Sequence, residues 1–186
     1  MVESAEGSVQ STTRRELVAR RWLRRAALIG AACLALWLVV RPKNLALGKS
    51  VAASSVCAWT PQAPLGRERL YRVVDGVETE QSFALCTNDE KDPWLTVDLA
   101  SSRRVDRVVV YPRADCCYGQ LELPLSLQLS DDNQHFETVE TTNTPAIPES
   151  PWRFSVSGRR ARYVRLISHD QTARHIVISE FEIFGR

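Results

Sequence analysis

An arginine, an aspartate and two adjacent cysteines crowd into the ten residues Tyr111-Pro-Arg-Ala-Asp-Cys-Cys-Tyr-Gly-Gln120. Arg113 carries five N–H donors in a planar fork, suited to hydroxyl and ring-oxygen acceptors. Asp115, two positions on, can hold that fork while accepting a further hydrogen bond. Cys116 and Cys117, if bonded to each other, form a stiff eight-membered ring with an apolar, sulfur-rich face; otherwise they are two ordinary thiols in a turn. A stiff apolar plate beside a guanidinium and a carboxylate suits a small polyhydroxylated ligand, which has one greasy face and several hydroxyls. The competing reading makes Arg113 and Asp115 a local ion pair that supports the loop.

Little else points to chemistry. The three histidines are His135, His169 and His175. Ser168-His169-Asp170 has the letters of a nucleophilic triad, but consecutive side chains diverge and cannot relay a proton. No glycine-rich phosphate loop, Cys-x-x-Cys pair or His-Glu-x-x-His element occurs. The paired acids Asp131-Asp132 fall in a turn and read as solvated. The sequence therefore predicts a binding protein and not an enzyme.

The elements that must position the loop are strands. After residue 44 no helical period dominates, and short alternating or β-branched runs follow one another: Trp94–Leu99, Val105–Tyr111, Leu125–Ser130, Phe136–Glu140, Trp152–Val156, Arg162–Ile167 and Ile176–Phe184. Turn formers such as Ser130-Asp-Asp-Asn133 and Ser157-Gly-Arg159 separate them. Seven or eight strands spaced in this way predict an all-β, jelly-roll-like antiparallel β-sandwich over residues 41–186. Thr141–Pro151, with three prolines, reads as a loop over one end, and Pro124 as the start of a strand.

The first 43 residues differ in kind. They carry eight Lys/Arg against three Glu, a net +5, which leaves the rest of the 186-residue chain at −3. So mildly acidic a domain gives no electrostatic reason to expect nucleic acid as a partner. Ala26–Val40 holds no charge and spans roughly 22 Å as a helix, against a hydrocarbon core of ~30 Å. Flanking arginines can snorkel, and Trp22 and Trp37 can sit near the interfaces, so a single N-terminal transmembrane helix over 26–40 is expected. A cleaved signal peptide is the alternative, though no small-x-small site follows the run. Residues 1–25 then form a basic, disordered cytoplasmic tail. The arginines ahead of the run place the C-terminal domain across the membrane. An oxidising compartment allows two bridges among Cys57, Cys86, Cys116 and Cys117, in three possible pairings; Cys116–Cys117 with Cys57–Cys86 is the preferred one.

Landmarks along the whole domain resemble a known family. They are Asn44-Leu-Ala-Leu-Gly-Lys49, Val74-Asp-Gly76, Cys86-Thr87, Asp92-Pro-Trp-Leu-Thr-Val-Asp-Leu99, Arg113-Ala-Asp-Cys-Cys117 and Ser179-Glu-Phe-Glu-Ile-Phe-Gly185. Residues 44–186 are similar to the coagulation factor 5/8 type C, or discoidin, galactose-binding-like β-sandwich, and within it to the F-type lectins (fucolectins). The resemblance implies a lectin-like module whose partner is a cell-surface or extracellular glycan of fucose type. Those lectins use a histidine, an Arg-x-Asp and a second base. Here Arg113 and Asp115 stand at Arg-x-Asp, Asn88 takes the histidine position, and Gln120 replaces the second base, so the sugar triad is degenerate.

The same resemblance implies a structural Ca2+ beneath the binding loops. Asp75 and Glu180 match its carboxylates, and Arg72, Val77 and Ser179 match its main-chain oxygens, a set that suits an ion taking 6–8 oxygens in irregular geometry. Leu85 stands where the family has a serine. Ser179 also replaces the cysteine that ordinarily pairs with Cys86, which motivates a relocated Cys57–Cys86 bridge. Two other function classes stay open: protein or phospholipid adhesion through exposed tips such as Trp59 and Tyr118, and a structural domain with a decayed sugar site.

Overall fold

Leu95, Val97 and Leu99 alternate along one extended segment, and Leu125, Leu127 and Leu129 along another; a period of two turns each trio onto one buried face. A computed structural model describes residues 22, 25–32, 41–62, 65–78, 83–115, 119–120, 122–169 and 174–186. It divides into two units, Met1–Arg41 and Pro42–Arg186. In the first, residues 25–32 are helical. Among the described residues no helix is long and apolar enough to cross a membrane, and residues 33–40 of the expected anchor lie outside them.

The second unit is built from β1 (Lys43–Asn44), β2 (Ser50–Ala53), β3 (Leu85–Cys86), β4 (Trp94–Pro112), β5 (Leu125–Ser130), β6 (Glu137–Thr142), β7 (Trp152–Ser168) and β8 (Val177–Gly185), with one 3-10 turn at Tyr71–Val74. Every pairing between these strands is antiparallel. The order is β1-β8-β4-β7-β5-β6, with β2 added on β4 and β3 on β8. Apolar side chains from all of the long strands meet in one core that includes Phe154, Phe181, Leu127 and Ile183. This is the expected all-β antiparallel sandwich.

Two details differ from the expectation. Trp94–Leu99 and Val105–Tyr111 belong to a single strand, β4, and Trp152–Val156 and Arg162–Ile167 to a single strand, β7. Ser157 and Gly158 have positive φ (56° and 75°), which reads in sequence as a reversal. Yet Arg107 pairs with Ser155 and Val105 with Arg159, so the ladder runs on through a bulge. Against β8, Val105 pairs with Gly185 and Arg107 with Phe184, so Asp106 is one extra residue of β4, and because successive side chains alternate it exchanges the faces. The core residues of β4 accordingly change from Leu95, Val97 and Leu99 to Val108 and Val110. The positive φ of Gly158 (75°) is what favours glycine at this bend; the nearest atoms to a Cβ there belong to the exposed, movable end of Arg104.

A second irregularity bears on the loops. Tyr111 pairs with Glu180 but Pro112 with Ile178, which leaves Ser179 as the extra residue of β8. Its hydroxyl lies 3.3 Å from the Tyr111 carbonyl and 3.0 Å from that of Pro112. The bulge places Glu180 fully inside, against the loop that follows the 3-10 turn: its Oε1 accepts from the Gly76 N–H at 3.1 Å.

Candidate functional site

Three segments distant in sequence are stitched together at one end of the sandwich. The Cys57 N–H donates to the Cys86 carbonyl (2.7 Å), and the Thr60 hydroxyl both accepts from the Cys86 N–H and donates to its carbonyl, each at 3.0 Å. Thr87 and Ile176 are joined twice, Thr87 N–H to Ile176 O and Ile176 N–H to Thr87 Oγ1. Arg113 follows directly on β4, whose last residues are paired with β8. These bonds fix the walls of a cavity of roughly 480 Å³, within the ~300–1,000 Å³ of ordinary ligand sites. Cys57, Trp59, Phe83, Cys86 and Val177 give it an apolar lining, and Asn88, Asp89, Arg113 and His175 supply polar groups.

Arg113 is held before any ligand arrives. Its Nε lies 2.6 Å from Asp115 Oδ1 and its Nη2 2.8 Å from Oδ2, a two-point clasp. The guanidinium carbon stands 5.0 Å from the centre of the Phe83 ring, within cation–π range. The hydrogen bond to Asp115 raises the guanidinium above its ordinary pKa, ensuring a permanent cation. Two of its five donors serve Asp115, so three remain for a ligand. Trp59, 82 % exposed, stands on the rim and offers an apolar face of the kind on which a sugar ring stacks.

Of the expected sugar-site residues, the structure brings Asn88 and Arg113 to the cavity. Asp115 acts from behind through Arg113, and Gln120, exposed, does not line the cavity. Cys116 and Cys117 lie outside the described residues, as does Tyr118. The Asn88 N–H donates to Ser55 Oγ (2.9 Å), which in turn donates to Glu90 Oε1 (2.5 Å). Phe83, Asp89 and His175 enter the site without having been singled out for it. Nothing local marks them: His175 and Asp89, joined Nδ1 to Oδ1 at 2.7 Å, are 86 residues apart.

The bridge expected between Cys57 and Cys86 is not formed in this structure, which holds both as free, buried thiols side by side with Val177. Burial pushes the Cys86 thiol up to about 12, with Cys57 adding to the shift. For Cys57 burial acts in the same direction, but hydrogen bonds with Cys86 and Thr60 outweigh it and leave that thiol below its ordinary range. Cys57 is the more easily ionised of the two.

Behind the wall sits a carboxyl that the sequence did not advertise. Glu122 is 1 % exposed; its Oε1 accepts from the Val177 N–H at 3.2 Å, and its Oε2 has no partner among the described residues. Burial raises it to about 7, although backbone hydrogen bonds, that from Val177 among them, and the Arg113 guanidinium pull the other way. The folded state thus holds its proton longer than the unfolded chain does. Its share of stability is complete below pH 4.5, the ordinary value, and is lost as pH rises through about 7. Glu122→Gln keeps an acceptor for Val177 and cannot ionise. It should match the wild type at pH 4 and exceed it at pH 8 by about 3 kcal/mol, read as the difference between urea midpoints at the two pH values.

The expected cation ligands are arranged as follows. Asp75 Oδ1 accepts from the Val77 N–H (2.9 Å), and Glu180 reaches the same loop through Gly76. Glu180 Oε2 is buried without a hydrogen-bond partner among the described residues. Burial, with Asp75 and Glu182 nearby, raises Glu180 to about 9. No three His, Cys, Asp or Glu side chains converge as a metal site among the described residues. Two acids against a turn of backbone is nonetheless the donor chemistry that calcium accepts, and an orphaned buried carboxylate oxygen is what a cation would satisfy.

The sandwich is similar in fold to several solved sugar-binding modules. A fucolectin from striped bass (Morone saxatilis) serum is similar at a TM-score of 0.64 and 22% identity, over 78% of this chain and 48% of that one. The Streptococcus pneumoniae fucose binding module SpX-3 has a TM-score of 0.62 and 18% identity, covering 77% and 98%. A chitosan-binding module from a Paenibacillus chitosanase/glucanase has a TM-score of 0.57 and 26% identity, covering 77% and 99%. No curated protein sequence matches the chain. Residues 72–166, more than half of the 186, match the family model of the NedA-like, galactose-binding domain. The chain belongs to that family, within the F5/8 type C superfamily.

Proposed function

We infer that the C-terminal unit is a carbohydrate-binding, lectin-like module and that the cavity bearing Arg113 is its glycan site. One observation carries this reading: an apolar recess holds a guanidinium already clasped by Asp115, with three donors to spare and an exposed tryptophan at the rim. A preorganised donor fork beside an apolar wall matches the two chemical faces of a sugar. Neighbours of this fold include fucose-binding modules, which favours a fucose-type ligand. Asn88 can donate and accept in place of the expected imidazole, and Gln120 at the position of the second Arg or Lys makes binding weak. In this reading the task of the site is recognition.

Calcium acts as a brace in this reading. Asp75 and Glu180, with main-chain oxygens of Arg72, Val77 and Ser179, would hold the ion, which supplies charge compensation and nothing reactive. A bonded Cys116–Cys117 pair directly after Asp115 would add an apolar sulfur face for the sugar. Residues 26–40 tether the module to a membrane, with the sugar site outside the cell. The exposed Trp59 favours one competing reading, insertion into a lipid surface or docking on a protein.

Titration of the isotope-labelled protein with L-fucose, D-galactose and N-acetylglucosamine in millimolar calcium tests the proposal. Resonances of Arg113, Asn88 and the Trp59 indole should shift together on saturation. If no saccharide moves them while liposomes or a protein partner do, the adhesion reading replaces this one.

A further inference from the structure

His175 and Arg113 line the same cavity from different elements, the first just ahead of β8 and the second just after β4. The position at which the resembling lectins carry a histidine is Asn88, so the imidazole here arrives from another part of the chain. Asp89, also at the cavity, lies 2.7 Å from His175 Nδ1. A carboxylate only accepts, so Nδ1 carries the hydrogen, and in the neutral ring the lone pair resides on Nε2. Nε2 has no hydrogen-bond partner among the described residues, and the side chain keeps 27% of its surface exposed. The cavity thus holds one donor-only group, Arg113, and one ring nitrogen set as an acceptor.

The charges narrow the ligand class. Arg113 is offset by Asp115, and Asp89 adds a further negative group at the rim. Among the described residues of the cavity no surplus positive charge is left to favour an acidic sugar. A neutral polyol suits the arrangement: one hydroxyl oxygen accepts from the guanidinium while another hydroxyl donates to the imidazole.

We propose that His175, oriented by Asp89, is the second polar anchor of the site and accepts a hydrogen bond from a hydroxyl of a neutral saccharide held by Arg113. This rests on the carbohydrate-binding reading and assigns that site a residue it did not include. Asp89 is a positioning residue, since it acts through the ring.

The test uses the full-length protein and the same three sugars. His175→Ala should weaken binding about tenfold, the effect of one hydrogen bond, whereas His175→Gln, which keeps an acceptor at similar reach, should recover most of the loss. In the wild type, the imidazole nitrogen spectrum should show the Nδ1–H tautomer, and Nε2 should shift as sugar is added. Asp89→Asn should change the tautomer populations before any ligand is present, a signature that a merely structural role would not produce. Wild-type affinity in His175→Ala, with binding still dependent on Arg113, would overturn this proposal and leave the carbohydrate site intact. If His175→Ala does not fold, a static Nε2 signal at saturating sugar overturns it equally. Absence of binding by the wild type overturns both.

Discussion

Arg113→Ala should abolish detectable saccharide binding while leaving the fold in place. The side chain contributes three donors to the cavity after Asp115 has taken two. Hydrogen bonds from a charged donor are worth about 1.5–3 kcal/mol each, so losing even one lowers affinity about ten- to a hundredfold. A weak single-site lectin then falls outside the range of a calorimetric titration. The change also removes the guanidinium that Asp115 clasps and the cover over Phe83. Arg113→Lys separates charge from geometry: an ammonium keeps the cation but cannot be clasped at two points, so intermediate binding is expected. Stability should move by less than about 1 kcal/mol, because the pair is a partly exposed ion pair. Undiminished sugar binding by a folded Arg113→Ala protein would remove the cavity from consideration as the glycan site.

Calcium should raise the melting temperature by about 8 °C, and a chelator should reverse it. An ion at a hundred times its dissociation constant stabilises by about 2.7 kcal/mol. For a domain of this size each kcal/mol corresponds to roughly 2–4 °C. The physical source is specific: Glu180 is buried at 0% exposure with one oxygen unpartnered among the described residues, beside the loop that carries Asp75. Glu180→Gln should eliminate the calcium response, and Asp75→Asn should reduce it. Differential scanning calorimetry with calcium, magnesium and chelator gives the comparison directly. Equal melting temperatures in all three would mean that the bulge at Ser179 positions Glu180 for a purely structural reason.

The two effects are linked through the fold. The irregularity in β8 that inserts Ser179 also sits opposite Tyr111 and Pro112, the residues that lead into Arg113. A brace on Glu180 therefore stiffens the strand end from which the guanidinium is presented. A preorganised donor costs less ordering on binding, so with calcium bound as proposed sugar affinity should fall on its removal, even though none of its proposed ligands lines the cavity.

What could be read from the sequence was whatever is local. Apolar alternation in Leu125–Ser130 and Trp94–Leu99 encodes which face is buried, because a strand's period of two depends on nothing beyond the strand itself. Arg113 and Asp115 are two residues apart, so their clasp was foreseeable from spacing, and the landmark motifs carried the family. The ends of the long strands were less legible. Ser157-Gly158 satisfies the backbone demands of a reversal and of a bulge alike, and only the partner strand β4 decides between them.

The remaining features belong to the tertiary structure alone. His175 meets Asp89 across 86 residues, Cys57 stands beside Cys86 across 29, and Glu122 lies behind the wall of a cavity whose sides come from four separate segments. No periodicity or motif specifies such meetings, since they depend on the register of β3, β4 and β8 and on a single extra residue in β8. A one-residue shift of register turns every side chain to the opposite face. The chemistry available to this chain was written in its residue types, and the choice of which groups share a cavity was made by strand pairing.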